Sequence, residues 1–126
     1  MKKNKIIYWL STMLIALASI QNGISHFIDP QYFIDSFNHL GYPQYLRYEM
    51  AIASILGALV LVLPKTSERL KEWAYFGFGL IYISAFYAHI SVGDDFLKIA
   101  TPIVFLLTLL VSYYFNYKNK QNNEKR

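Results

Sequence analysis

The side chains of this chain best suited to chemistry are two histidines and two carboxylates, His26, His89, Glu49 and Asp94. Imidazole changes charge near neutral pH, so such histidines relay protons, bind a quinone carbonyl or ligate a metal, with a carboxylate as partner. Each of the four stands at or just beyond the end of a long apolar run. Gln21 and Asn22 lie about a turn deeper than His26, and Tyr82 shares a helical face with His89 at i, i+7. Polar groups within a membrane boundary are expensive unless paired, and they usually face the bundle interior. The plainer alternative is that each group, a few positions from bulk water, only caps a helix end or snorkels. Asp95 is open to the same two readings, and His39 in the connector is expected to be exposed to solvent.

The cofactor stays unknown at this level. A quinone fits the residue types. Two histidines and a carboxylate are acceptable metal ligands, but they lack the i, i+4 spacing of helical sites. A bis-His haem is disfavoured further, because both histidines stand at one end rather than in mid-bundle. There is no nucleophile elbow for Ser-His-Asp hydrolysis and no phosphate-cradling glycine loop. With no cysteine, the chain has no disulfide, thiolate site or dithiol cycle of its own.

The elements that position these groups follow from hydropathy. The 126 residues are 55% hydrophobic and 16% charged, enough for one domain and too apolar to be covered by polar surface in water. Between Trp73 and Val92 there is no Lys, Arg, Asp or Glu. That stretch of roughly 20 residues, at about 1.5 Å each, crosses a hydrocarbon core about 30 Å thick. Helices satisfy their own backbone in lipid and open strands do not. The pattern predicts transmembrane helices over about 6–28, 46–63, 72–92 and 96–117, with a polar, disordered tail at 118–126. The expected fold is all-α, an integral membrane up-down four-helix bundle with a short interfacial helix in the first outer loop.

The first run resembles a signal peptide, with Ala16-Leu17-Ala18 as a cleavage-like site, yet it continues through Gly23 to Ile28 and is expected to be retained as a span. Thr12, Ala16, Ser19, Gly23 and His26 form a small or polar stripe that should face other helices. Ala53 with Gly57 and Ser54 with Ala58 make small pairs on the second run, which is expected to end at Pro64. In the connector, Asp29 is expected to cap a short helix over about 30–40, with Pro30 in its first turn and Gly41 just past its end. Phe33, Ile34, Phe37 and Leu40 fall on one face of it. Thr66 or Ser67 should cap the third span, and Pro102 sits early in the fourth, where a missing N–H costs least. Trp9, Trp73, Tyr113, Tyr114 and Tyr117 read as interface anchors.

Ten of the twelve Lys and Arg residues flank the runs in three clusters; Arg47 and Lys98 are the exceptions. This is the pattern of orientation charges and leaves no basic face for nucleic acid. The positive-inside bias then places both termini inside, with the histidines near the outer surface.

The pieces Leu40-Gly41-Tyr42-Pro43, Glu49, Lys71-Glu72-Trp73-Ala74-Tyr75 with Gly77, Ser84-Ala85, His89 and Gly93-Asp94 together resemble the DoxX-like family of small four-helix membrane proteins, over about 6–117. The resemblance implies a bacterial cytoplasmic membrane. It also implies a membrane subunit or accessory of a redox or quinone-linked system, since relatives include a subunit of a thiosulfate:quinone oxidoreductase and partners in oxidoreductase complexes. It carries over no catalytic residue, so whether the chain is itself an enzyme stays open. The missing cysteines depart from relatives that use thiol chemistry. An animal branch that assists receptor assembly gives the alternative, a non-enzymatic interaction protein docked on a partner membrane protein or on itself. A small carrier is a further alternative and would need oligomers, because four helices rarely enclose a pathway.

Overall fold

A computed structural model describes residues 2–63 and 65–124. It contains α1 (Lys2–Ile28), α2 (Pro30–Leu40), α3 (Gln44–Val62), α4 (Glu68–Ser91) and α5 (Phe96–Glu124). Four of these are long and apolar enough to cross a membrane, and α2 is the short one. The chain is a multi-pass membrane protein whose outer surface meets lipid. Leu14, Leu17, Phe76, Leu80 and Leu107 are all exposed, as side chains facing hydrocarbon should be.

The spans close into a ring in which α1 lies between α3 and α5, and α4 completes it on the far side. All five residues of the predicted α1 stripe are buried. Gly23 explains why the stripe is small: a Cβ there would stand 2.6 Å from Ile55 and 2.9 Å from the Ala51 carbonyl oxygen. Without a hydrophobic drive between helices in lipid, such backbone approach supplies the packing. On α3 the pair Ser54 and Ala58 is buried, whereas Ala53 is exposed. Ile15, Leu61, Tyr75, Phe78 and Leu109 fill the centre.

Several helix ends differ from expectation. Asp29 makes no side-chain cap, and α2 begins on Pro30 without one. Its backbone N–H instead donates to the Ser25 carbonyl, so Asp29 closes α1 rather than opening α2. Gly41 does end α2 in the left-handed region at φ 81°, where a side chain would be strained. Ser67 caps α4, its Oγ accepting from the Leu70 amide. Pro102 is buried at the seventh position of α5, beyond the first turn, so the Lys98 carbonyl loses its i+4 donor. The tail is helical as far as Glu124, extending α5 past the expected boundary. Asn116, donating to Glu68, and Gln121, donating to Tyr117, support that extension. Pro64 lies outside the described residues.

Candidate functional site

The polar groups sort themselves to the two ends of the ring, and the end capped by α2 holds the three histidines. There α4 terminates on Gly93 at φ 72°, with the Asp94 amide donating to the His89 carbonyl at 3.0 Å. Asp95 turns into α5, its Oδ1 accepting from the Lys98 amide at 3.1 Å. Asp95 is therefore a helix cap. Asp94 is left free to face the other way.

Asp94 binds two imidazoles. Oδ2 lies 2.6 Å from Nδ1 of His89, and Oδ1 lies 2.7 Å from Nε2 of His39. The carboxylate is nearly enclosed, at 7% exposure, while His89 is 22% and His39 53% exposed. The hydrogen bond from His89, followed by that from His39, holds the Asp94 carboxyl below its ordinary range. An ionised carboxylate only accepts, so both ring nitrogens donate to it. His89 is thereby fixed as the Nδ1–H tautomer, with Nε2 as its free nitrogen. His39 is exposed as expected, but it also joins Asp94 across 55 positions of sequence, a pairing that periodicity does not reveal.

His26 is buried on α1, stacked on Phe33 at 3.8 Å between ring centroids and edge-on to Phe37. Its Nδ1 is sealed from solvent without a partner. Its backbone carbonyl accepts from Nη1 of Arg47 at 3.2 Å, which occupies one of the orphan carbonyls at the α1 C-terminus. Arg47 read in the sequence only as a stray flanking charge. The structure buries it, with its guanidinium 4.1 Å from the centre of the Tyr48 ring.

Between all five helices lies a cavity of about 310 Å³, with Met50 and Ser54 as the contribution of α3. Asn22, His26, Tyr82 and His89 are among its polar lining, with Ser36, Tyr42 and Thr101, and Phe33, Phe37 and Phe105 form much of its apolar wall. A second recess of about 420 Å³ shares Asn22, Phe33, Tyr82 and Phe105 and adds Gln21. Of the residues singled out by type and spacing, His26, His89, Asn22 and Tyr82 thus meet at one cavity, with Asp94 behind His89. Gln21 stands in the adjoining recess. Glu49 is exposed and lines neither. Among the described residues no group of three or more His, Asp or Glu side chains is arranged to hold a metal ion.

The model of the DoxX-like family matches residues 10–112, nearly the whole bundle. The chain belongs to the DoxX-like family. No curated protein and no solved structure matches it. The matched span includes α2, the cavity walls and the Asp94 turn, so the candidate site of this DoxX-like chain lies within the family's domain rather than on an appendage.

Proposed function

We propose that this DoxX-like chain is a membrane subunit of a quinone-linked redox system, taking a quinone headgroup into the cavity under α2. The observation that supports this most is the pairing of aromatic walls with an imidazole of fixed tautomer in one cavity at a membrane boundary. Phe33, Phe37 and Phe105 offer faces to a flat ring, and Asn22, Tyr82 and the two histidines offer hydrogen bonds to its oxygens. With a quinone or hydroquinone bound, Nε2 of His89 would accept a hydrogen bond from a ring hydroxyl, and Asp94 would hold the imidazole in the orientation and tautomer that this needs. Both termini lie in the cytoplasm of a bacterial cell, and the cavity lies near the outer face of its membrane.

Binding of a short-chain quinone to the protein in lipid nanodiscs tests this. Replacing His89 with Ala removes one hydrogen bond to the headgroup and should weaken binding about tenfold. Equal affinity for both proteins contradicts the assignment. A second reading, an assembly protein, is favoured by a groove of about 350 Å³ on the outer side of α4 and α5, lined by Gly79, Leu80, Ile83 and Leu110. It predicts a stoichiometric membrane partner retained by the His89→Ala protein.

A further inference from the structure

The Asp94 carboxylate joins two things that the cavity brings together: the helix that covers it and a histidine that lines it. The inward face of α2, with Phe33, Phe37 and Leu40, forms one wall of the cavity. His39 leaves the same helix near its end and reaches Oδ1, while His89 of α4 holds Oδ2. Uncharged bonds also fasten α2: Tyr42 donates to the Ser84 carbonyl at 3.2 Å, and Gln44 donates to the Ile34 carbonyl and to Asn38. Among the described residues, His39 to Asp94 is the ionisable link between α2 and the rest of the bundle.

We propose that His39 is a positioning residue of this cavity, coupling through Asp94 the seating of α2 to the orientation and tautomer of the His89 ring. The proposal rests on the cavity reading above but not on the quinone. A carboxylate with an N–H donor on each oxygen is held at two points and cannot turn. When α2 lifts and His39 leaves, Asp94 is held by His89 alone and is free to turn toward water, so the Nδ1–H tautomer of His89 is no longer enforced. The three groups do not form a wire. Both nitrogens that face Asp94 already carry hydrogen, so a proton cannot cross without one ring changing tautomer.

The surrounding charges leave this coupling in place. From α5, Lys98 adds a positive charge near Asp94, and Asp95 is committed to the Lys98 amide. From α3, Arg47 donates to the His26 backbone carbonyl, and from α1 the His26 ring lines the same cavity without touching Asp94. Within ion-pair distance of Asp94 stand His39 of α2 and His89 of α4, the two among the described residues.

The test uses the full chain in nanodiscs with nitrogen-15 histidine, where three histidines give three resolvable sites. His89 should appear as the Nδ1–H tautomer. His39→Ala and Asp94→Asn should each bring up the Nε2–H tautomer of His89, Asp94→Asn the more strongly. His39→Gln keeps an N–H donor for Oδ1, so it should preserve the native tautomer. Because the chain has no cysteine, nitroxides on Gln31→Cys and Ser91→Cys report how α2 sits over α4. Their distance distribution should broaden in His39→Ala and Asp94→Asn and stay narrow in His39→Gln. A His89 tautomer that His39→Ala leaves unchanged, or a distance distribution identical in all variants, overturns the coupling. If His39→Ala changes the His89 tautomer while an added short-chain quinone shifts no histidine signal, the coupling stands and the quinone reading falls.

Discussion

The two ends of the ring solve the same problem, polar groups within a membrane protein, in opposite ways. At the end away from α2, Ser112 Oγ lies 2.6 Å from Thr12 Oγ1 and 2.7 Å from the Tyr75 hydroxyl, all three buried. These hydroxyls donate and accept interchangeably, so they can satisfy one another without any charge. At the α2 end the groups are imidazoles, a carboxylate and a guanidinium, whose donor and acceptor roles are fixed. Of the four sealed side-chain atoms without a partner among the described residues, three belong there, on His26, Gln44 and Arg47, and the Tyr8 hydroxyl belongs to the other end. Buried polar atoms are normally paired. Of these three residues His26 lines the cavity, which makes the α2 end the proposed receiving end and the hydroxyl cluster the holding end.

Four substitutions test that contrast, from the largest expected effect to the smallest. Gly23→Ala drives a methyl group into Ile55 and the Ala51 carbonyl, where α1 carries His26 into the site. It should lower stability by about 2 kcal/mol, as overpacking does, and loosen the cavity as well. Unfolding in mixed micelles reads the first effect and ligand binding the second. Ser112→Ala strands two hydroxyls at the holding end and should cost about 1–2 kcal/mol while leaving binding at the α2 end intact.

Asp94→Asn tests the receiving end through pH. Because its imidazole partners depress the Asp94 carboxyl, its contribution is complete above the ordinary carboxylate value of about 4 and is lost as pH falls through the lowered one. Acid unfolding of the native chain should therefore show a loss of stability below about pH 4 that the Asn variant lacks. Glu49→Gln should change neither stability nor binding measurably, since Glu49 is exposed and outside both recesses. An effect of Glu49 on binding would mean that the receiving end is wider than the cavity.

Much of this architecture was legible in the residues. A membrane leaves one way to satisfy backbone groups, so the apolar runs read directly as spans, and the spacing of small residues on α1 marked its packed face. What the sequence hid depends on tertiary placement. Asp94 and Asp95 are neighbours of the same type, and only the turn at Gly93 determines which one caps α5 and which one meets the histidines. His39 lies on the polar side of an amphipathic helix, and its partner becomes visible only when α2 folds back over the bundle. Arg47 opens a span, where an interfacial charge is the ordinary reading, and it is buried because the end of α1 lies against it. The helical tail was missed because its composition is polar, whereas a long helix already in place extends at little cost.

The most direct test of a receiving end under α2 is to map where a photoreactive short-chain quinone attaches to the protein in nanodiscs, by peptide mass spectrometry. Attachment should concentrate in the peptides carrying Phe33 to Phe37 and Tyr82 to His89, and it should fall when unlabelled quinone competes. Attachment spread over the lipid-facing side chains of α4 and α5, such as Phe76, Leu80 and Leu107, with no competition would contradict it.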